Sequence, residues 1–321
     1  MFPYVMFVAG LALLMVAGDL LVRGAVGIAD RLNIPPLIIG LTVVAFGTSA
    51  PELVVCVNAA LSGSSAIAVG NVIGSNIANV LLVLGLPAMI APTVTDQQDA
   101  LRNTLYMMGA TLLFIGICLT GVLDRWHGVL LFVLLIAFLF ESMRCARNGN
   151  GKALHDEIEE LEGPAKNMTI AILFALGGLV GLPLAAEMMV SSAQTIARSW
   201  GVSEAAIGLT VVALGTSLPE LAATIMAALR REGAIAIGNV IGSNIFNLLG
   251  IMGLTSVISP LAVPPEVMNF DIWIMLASAV IVLAFVGGKW RINASAGVAL
   301  TLAYGIYCWG VFNNVRLPFF G

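Results

Sequence analysis

Charge is what this sequence has least of. Of 321 residues, 14 are Lys or Arg and 18 are Asp or Glu, 10% of the chain, whereas 60% are hydrophobic. A soluble domain carries about 25% charged residues, so a water-exposed globular surface is excluded. Histidine is nearly absent too: His127 and His155 are the two in the chain, and both fall in expected loops. A histidine-built metal centre or nucleophile relay inside a membrane is thereby excluded. The four cysteines (Cys56, Cys118, Cys145, Cys308) are scattered along expected helices without metal-ligand spacing or a disulfide framework. With a net charge of −4 there is no basic footprint for nucleic acid. Met1 to Gly18 lacks a basic leading segment and a small-residue cleavage site, and its apolar run continues through Val22, so it reads as a retained first helix.

What is present is a series of apolar runs, each long enough to cross about 30 Å of hydrocarbon as a helix. They lie near 4–29, 36–61, 67–90, 100–121 and 126–145, then near 168–198, 204–229, 234–257, 270–287 and 293–313. The runs do not alternate apolar and polar residues, which argues against a membrane barrel. The expected fold is an all-α polytopic membrane protein of about ten transmembrane helices. One sizeable hydrophilic stretch, 147–167, carries an acidic run from Asp156 to Glu162 and reads as a solvated linker. It separates a first unit, 1–146, from a second, 168–321.

The two units are copies. Gly40 to Pro92 matches Gly208 to Pro260 without a gap, with roughly 30 of 53 positions identical, and the register places Asp19 opposite Glu187. Five helices per copy is an odd number, so the second copy enters the bilayer from the opposite side and the repeats are inverted. With the N-terminus outside, inner loops hold Arg31, Arg102, Arg144, Arg147, Lys152, Lys166, Arg230, Arg231, Lys289 and Arg291. Outer loops hold Arg125, Arg198 and Arg316. That asymmetry sets both termini outside a cytoplasmic (inner) membrane and the 147–167 linker inside.

Each repeat places one carboxylate where an ionisable group is costly: Glu52 in the second apolar run and Glu220 in the seventh. Each follows a proline, Pro51 or Pro219, with Gly47 or Gly215 four residues before that proline. Proline has no N–H to give and crowds the carbonyl four residues back, so both helices are expected to break there and free carbonyl oxygens. Thr48 and Ser49 lie four and three residues before Glu52, and Thr216, Ser217 and Glu220 repeat the spacing. One helix face would gather each set. In the next helix Ser75 and Asn79 are four apart, as are Ser243 and Asn247. The summed inventory is carboxylates, hydroxyls, amides and carbonyls, all hard oxygen donors. A hard cation is indicated, and two carboxylates suit a divalent one.

Bland readings compete with some of these residues. Isolated membrane Ser and Thr usually bond their own backbone. The pairs Gly70/Gly74 and Gly238/Gly242 read as close-packing motifs, not phosphate cradles, since no basic residue accompanies them. Asp19, an accessory candidate with Glu187, has Arg23 four residues on as a local ion-pair partner.

At these residues the sequence resembles the cation/calcium exchanger superfamily, whose two repeats carry GTSxPE in one helix and GSNxxN or GSNxxD in the next. Here the motifs are Gly47 to Glu52 and Gly74 to Asn79, then Gly215 to Glu220 and Gly242 to Asn247. The small prokaryotic sodium/calcium exchangers are the nearest likeness. The resemblance implies a calcium site at Glu52 and Glu220 with Thr48 and Thr216. It implies flanking sodium or cation positions at Ser49, Ser75, Asn79, Ser217, Ser243, Asn247 and the backbone oxygens of Ala45 and Ala213. It also implies that the first and sixth helices slide against the rest, and calcium and sodium are expected as transported ions and not cofactors, with a monomer in the bilayer as the expected working unit. Some members have an aspartate where this chain has Asn247, and potassium-moving relatives do, so the resemblance points away from potassium. The expected activity is sodium/calcium antiport. The residues alone leave open a proton-coupled cation exchanger and, in another class, a cation channel. A membrane hydrolase is disfavoured, because no HExxH and no nucleophile–base pair is present.

Overall fold

The structure is a computed structural model that describes residues 2–93, 95–96, 99–148, 167–200 and 213–313. Most of the 147–167 linker, the 204–212 part of the seventh expected helix and the last residues of the chain lie outside the described residues. In chain order the helices are α1 (Phe2–Leu32), α2 (Pro36–Thr48), α3 (Ala50–Leu61), α4 (Ser65–Ile90), α5 (Ala100–Cys118), α6 (Arg125–Asn148) and α7 (Met168–Ser199). They continue as α8 (Leu218–Leu229), α9 (Gly233–Ile258), α10 (Val267–Gly287) and α11 (Ala294–Phe312), with a short turn Ala213–Thr216 before α8. Among the described residues eight helices are long and apolar enough to span, and the bent pair α2/α3 makes a ninth. The chain is a multi-pass membrane protein. α8 is the described half of the remaining expected span.

Two hydrophobic cores divide the molecule. The larger is built by α3 to α6 with α9 to α11 and holds Phe114, Ile73, Leu84 and Leu131. The smaller lies between α1 and α7 and the faces of α2, α8 and the start of α9 that they cover. In hydrocarbon no hydrophobic drive separates helix from lipid, so helices associate by close packing of small residues. A Cβ built on Gly10 would meet Met189 and Ala185, and one built on Gly178 would meet Leu21 and Ala17. These two contacts map onto each other under the 168-residue offset. The numbering rises along α1 as it falls along α7, so the repeat-related helices run antiparallel. That is the inverted relation expected from the odd helix count.

The same offset recurs across the fold. The turn between α3 and α4 has Gly63 at φ +74°, and the turn between α8 and α9 has Arg231 at φ +59°. Before α6 stands Gly121 at φ +82°, and before α11 Lys289 at φ +53°. A two-residue strand β1 (Val122–Leu123) pairs antiparallel with β2 (Leu261–Ala262), while Thr93 bridges Ile292 on the other side of the pseudo-twofold.

The packing reading of the glycine pairs holds for Gly238 and Gly242. Cβ atoms there would lie 2.5 Å from the carbonyl oxygens of Leu37 and Leu41, respectively. At Gly70 and Gly74 no described atom stands within 4 Å of such a Cβ. The repeat counterparts of Leu37 and Leu41 are Ala205 and Leu209, which lie outside the described residues.

Candidate cation site

Both proline-bearing helices break where the sequence predicts. α2 and α3 meet at 45°. Ser49 at the junction has φ −84°, ψ 6°, and Ser217 in the second repeat has φ −88°, ψ 3°. Pro51 and Pro219 fall in the first turn of α3 and α8, where a missing N–H costs no helical hydrogen bond. Glu52 and Glu220 occupy the same first turns, where the helix dipole favours negative charge. Ala45, expected to offer its carbonyl oxygen, accepts from the Ser49 N–H at 3.0 Å and from the Thr48 hydroxyl at 3.3 Å. Ala213 opens the turn before α8.

The two breaks face one another at the centre of the fold. Glu52 is 1% exposed and Glu220 is fully buried. Each carboxylate feels hydroxyls from the opposite repeat. Ser49 donates to Glu220 Oε1 at 2.9 Å, while Thr216 neighbours Glu52. The charge of Glu220 also bears directly on Glu52. α9 passes beside the first break, with Gly242 against Ala45 and Ser243 next to it.

The expected amides come together across the repeats. The Asn79 side-chain N–H donates to Asn244 Oδ1 at 3.2 Å, and that of Asn247 donates to Asn76 Oδ1 at 3.4 Å. Seven buried side-chain oxygens of the expected site then have no hydrogen-bond partner among the described residues: Glu52 Oε1 and Oε2, Glu220 Oε2, Ser217 Oγ, Ser243 Oγ, Asn79 Oδ1 and Asn247 Oδ1. An orphaned buried acceptor costs about 1–3 kcal/mol and a charged one more, so such a set is tolerated where a cation satisfies it. Among the described residues no three of His, Cys, Asp and Glu form a metal-binding group. What these residues can do is surround a hard cation with neutral oxygens and two carboxylates.

Two expected accessory residues stand elsewhere. Asp19 forms an ion pair with Arg230, at the end of α8, and lies 3.8 Å from Arg23. Arg23 in turn lies over the Phe174 ring. Glu187 is exposed on α7. The structure therefore makes Asp19 a tie between α1 and α8.

Sequence reasoning missed Asn239, which donates to the Glu220 carbonyl at 3.3 Å and to Thr224 at 3.0 Å and accepts from Thr48 at 3.3 Å. Its repeat partner Asn71 donates to Cys56, the counterpart of Thr224. The signal was in view, because the stretch GNVIGSNI is identical in both copies. Also missed were π-helical turns at Gly40–Val44, Asn79–Val83 and Phe246–Ile251. Such bulges concentrate at functional sites and here re-aim the helix at both site amides.

The family model described as sodium/calcium exchanger protein matches residues 2–143 and 170–313. The chain is 36% identical over 309 residues to the inner membrane protein YrbG of Escherichia coli, covering 95% of this chain and 94% of that one. It is 33% identical over 339 residues to the sodium/calcium exchanger MaX1 of Methanosarcina acetivorans, covering 94% and 96%. Among solved structures, the sodium-calcium exchanger NCX_Mj soaked with 2.5 mM Na+ and 0.1 mM Ca2+ superposes with a TM-score of 0.83 at 29% identity, covering 99% of both chains. The family and its named exchangers are transporters, not enzymes. With matching motifs, fold and length, this chain belongs to the sodium/calcium exchanger protein family.

Proposed function

We propose that the protein is an antiporter that exchanges calcium for sodium across the cytoplasmic membrane. The observation that carries the reading is the set of seven buried oxygens of the expected site, three of them on Glu52 and Glu220, that have no hydrogen-bond partner among the described residues. Two carboxylates match one divalent ion or two monovalent ions in charge, so calcium and sodium compete for the same ligands. Exchange follows from that competition, since each ion empties the site for the other. Glu52, Glu220, Thr48 and Thr216 hold calcium, while Ser49, Ser75, Ser217 and Ser243 with Asn79 and Asn247 complete the cation positions. With neutral amides at both 79 and 247, the site holds two negative charges and no third. The names of MaX1 and NCX_Mj support the choice of ions.

Access alternates by movement of the α1/α7 pair, which has its own small core and packs on the remainder along α2 and α8. An empty site with two charged carboxylates is costly to move through a low-dielectric barrier, which couples the two ion fluxes. Both termini lie outside, as the distribution of Lys and Arg supports.

The test is calcium uptake into proteoliposomes loaded with sodium and diluted into sodium-free buffer. Uptake should need the sodium gradient and vanish in Glu52→Ala. Uptake driven by a proton gradient alone, or retained in Glu52→Ala and Glu220→Ala, sinks the proposal.

A further inference from the structure

An amide can point either its oxygen or its NH2 at a cation, and only the first is useful. In this structure two crossed relays fix that choice. In one, Met107 of α5 accepts from Asn244 Nδ2 at 3.7 Å, Asn244 Oδ1 accepts from Asn79 Nδ2, and Asn79 Oδ1 is left without a partner among the described residues. In the other, Met275 of α10 accepts from Asn76 Nδ2 at 3.8 Å, Asn76 Oδ1 accepts from Asn247 Nδ2, and Asn247 Oδ1 is likewise left without a partner. All six residues are buried, with Met107, Asn79 and Asn76 at most 1% exposed. Each member of one relay is 168 positions from its counterpart in the other.

The direction of each relay is set at its methionine. A thioether sulfur accepts hydrogen bonds and cannot donate. The NH2 of Asn244 or Asn76 must therefore face the sulfur, its oxygen must face the next amide, and that amide must turn its own oxygen away from the relay. Without the sulfur, both amides of a relay could flip together and keep their mutual bond. The site would then meet an NH2 group.

We infer that Met107 and Met275, acting through Asn244 and Asn76, are positioning residues that commit the Asn79 and Asn247 oxygens to the transported cation. This rests on the exchange reading above. Neither methionine touches the ion, and their role is to hold a polarity.

The experiment compares wild type with Met107→Leu, Met275→Leu and Met107→Gln in the sodium-loaded proteoliposome assay, with Glu52→Ala as the control for the functional reading. Leucine keeps the volume but removes the acceptor, whereas glutamine restores an acceptor through its carbonyl oxygen. Each Leu variant is expected to raise the KM for calcium about threefold to tenfold, the factor one neutral hydrogen bond is worth, with the maximal rate little changed. Met107→Gln is expected to stay close to wild type. Unchanged KM in both Leu variants beside normal wild-type exchange overturns the inference alone. Equal losses in Met107→Leu and Met107→Gln also overturn it, since that pattern reports packing. Absence of exchange in wild type overturns the functional reading and this inference with it.

Discussion

Ser49 of the first repeat donates to the Glu220 carboxylate of the second at 2.9 Å. The repeat-related hydroxyl, Ser217, has no partner among the described residues. The pseudo-twofold that organises the fold is thus broken at its centre.

That asymmetry separates two otherwise equivalent mutations. Ser49→Ala leaves a second Glu220 oxygen unsatisfied and is expected to cost about 1–3 kcal/mol of stability. Ser217→Ala removes a hydroxyl that bonds none of the described groups and is expected to cost little. Thermal unfolding in detergent with cations chelated distinguishes them, and an equal loss in both variants contradicts the geometry. Exchange should fall in both, because each hydroxyl serves the cation.

Cation removal should itself destabilise. A ligand that binds the folded state alone at about 100 times its dissociation constant adds about 2.7 kcal/mol. Addition of calcium is therefore expected to raise the melting temperature of wild type, and chelation to reverse it. In the double variant Glu52→Gln/Glu220→Gln the calcium effect should vanish, and the cation-free protein should melt higher than cation-free wild type, since no buried charge remains uncompensated. A calcium-induced shift that survives in the double variant would place the cation elsewhere.

Close approach of α1 and α7 can be probed at adjacent glycines. A Cβ on Gly178 would lie 2.6 Å from the Leu21 backbone nitrogen and 2.7 Å from the Ala17 carbonyl oxygen, whereas one on Gly177 would meet only Leu20 Cδ1 at 3.8 Å. Gly178→Ala is expected to cost about 1–3 kcal/mol, because backbone must move, and Gly177→Ala to be neutral. Melting temperatures of the two variants decide it.

For Asp19 the expectation is loss of stability without loss of affinity. Its partners are Arg230 and Arg23, and its side chain is 23% exposed, so Asp19→Asn should weaken the α1–α8 tie by about 1 kcal/mol. The KM for calcium should not change. A raised KM would return Asp19 to the ion site.

Burial pushes the Glu232 carboxyl above the usual carboxylate range, against a smaller lowering effect of Arg230. The folded state then holds its proton more tightly than the unfolded state does. Stability contributed by the neutral form is present at acid pH and is lost as pH rises from the ordinary glutamate value through the raised one. Glu232→Gln should flatten that fall, which melting curves spanning about pH 4 to 7.5 would register.

Much of this was legible in the chain. Glu52 and Glu220 stood out because a carboxylate beside a proline has no cheap place in an apolar run, and the duplication fixed their pairing. The relays through Met107 and Met275 were not legible, because hydrogen bonds between α4 and α9 and to α5 and α10 depend on how helices cross, which no periodicity encodes. Asn79 read as one polar face with Ser75, yet its partner lies in the other repeat. Asp19 was ambiguous for a similar reason: Arg23 is one helical turn away, but Arg230, 211 residues on, makes the tighter pair. The π-helical turns left no mark in composition, since the one extra residue that widens such a turn can be of many types.

The left-handed turns of the two repeats carry a message about how the chain is threaded. Where the first repeat uses Gly63 and Gly121, the second uses Arg231 and Lys289 at the same backbone conformation. Glycine adopts it freely, while a residue with a side chain gives up about 1–2 kcal/mol. In the proposed orientation the glycines stand on the outer face and the cations on the cytoplasmic face, where positive loops resist translocation. Turn shape cannot tell the insertion machinery which half it is handling, because the halves share it. The basic residues at those two corners can, and in the proposed orientation the left-handed conformation that Arg231 and Lys289 adopt is, among the described residues, the cost of keeping positive charge on the cytoplasmic face.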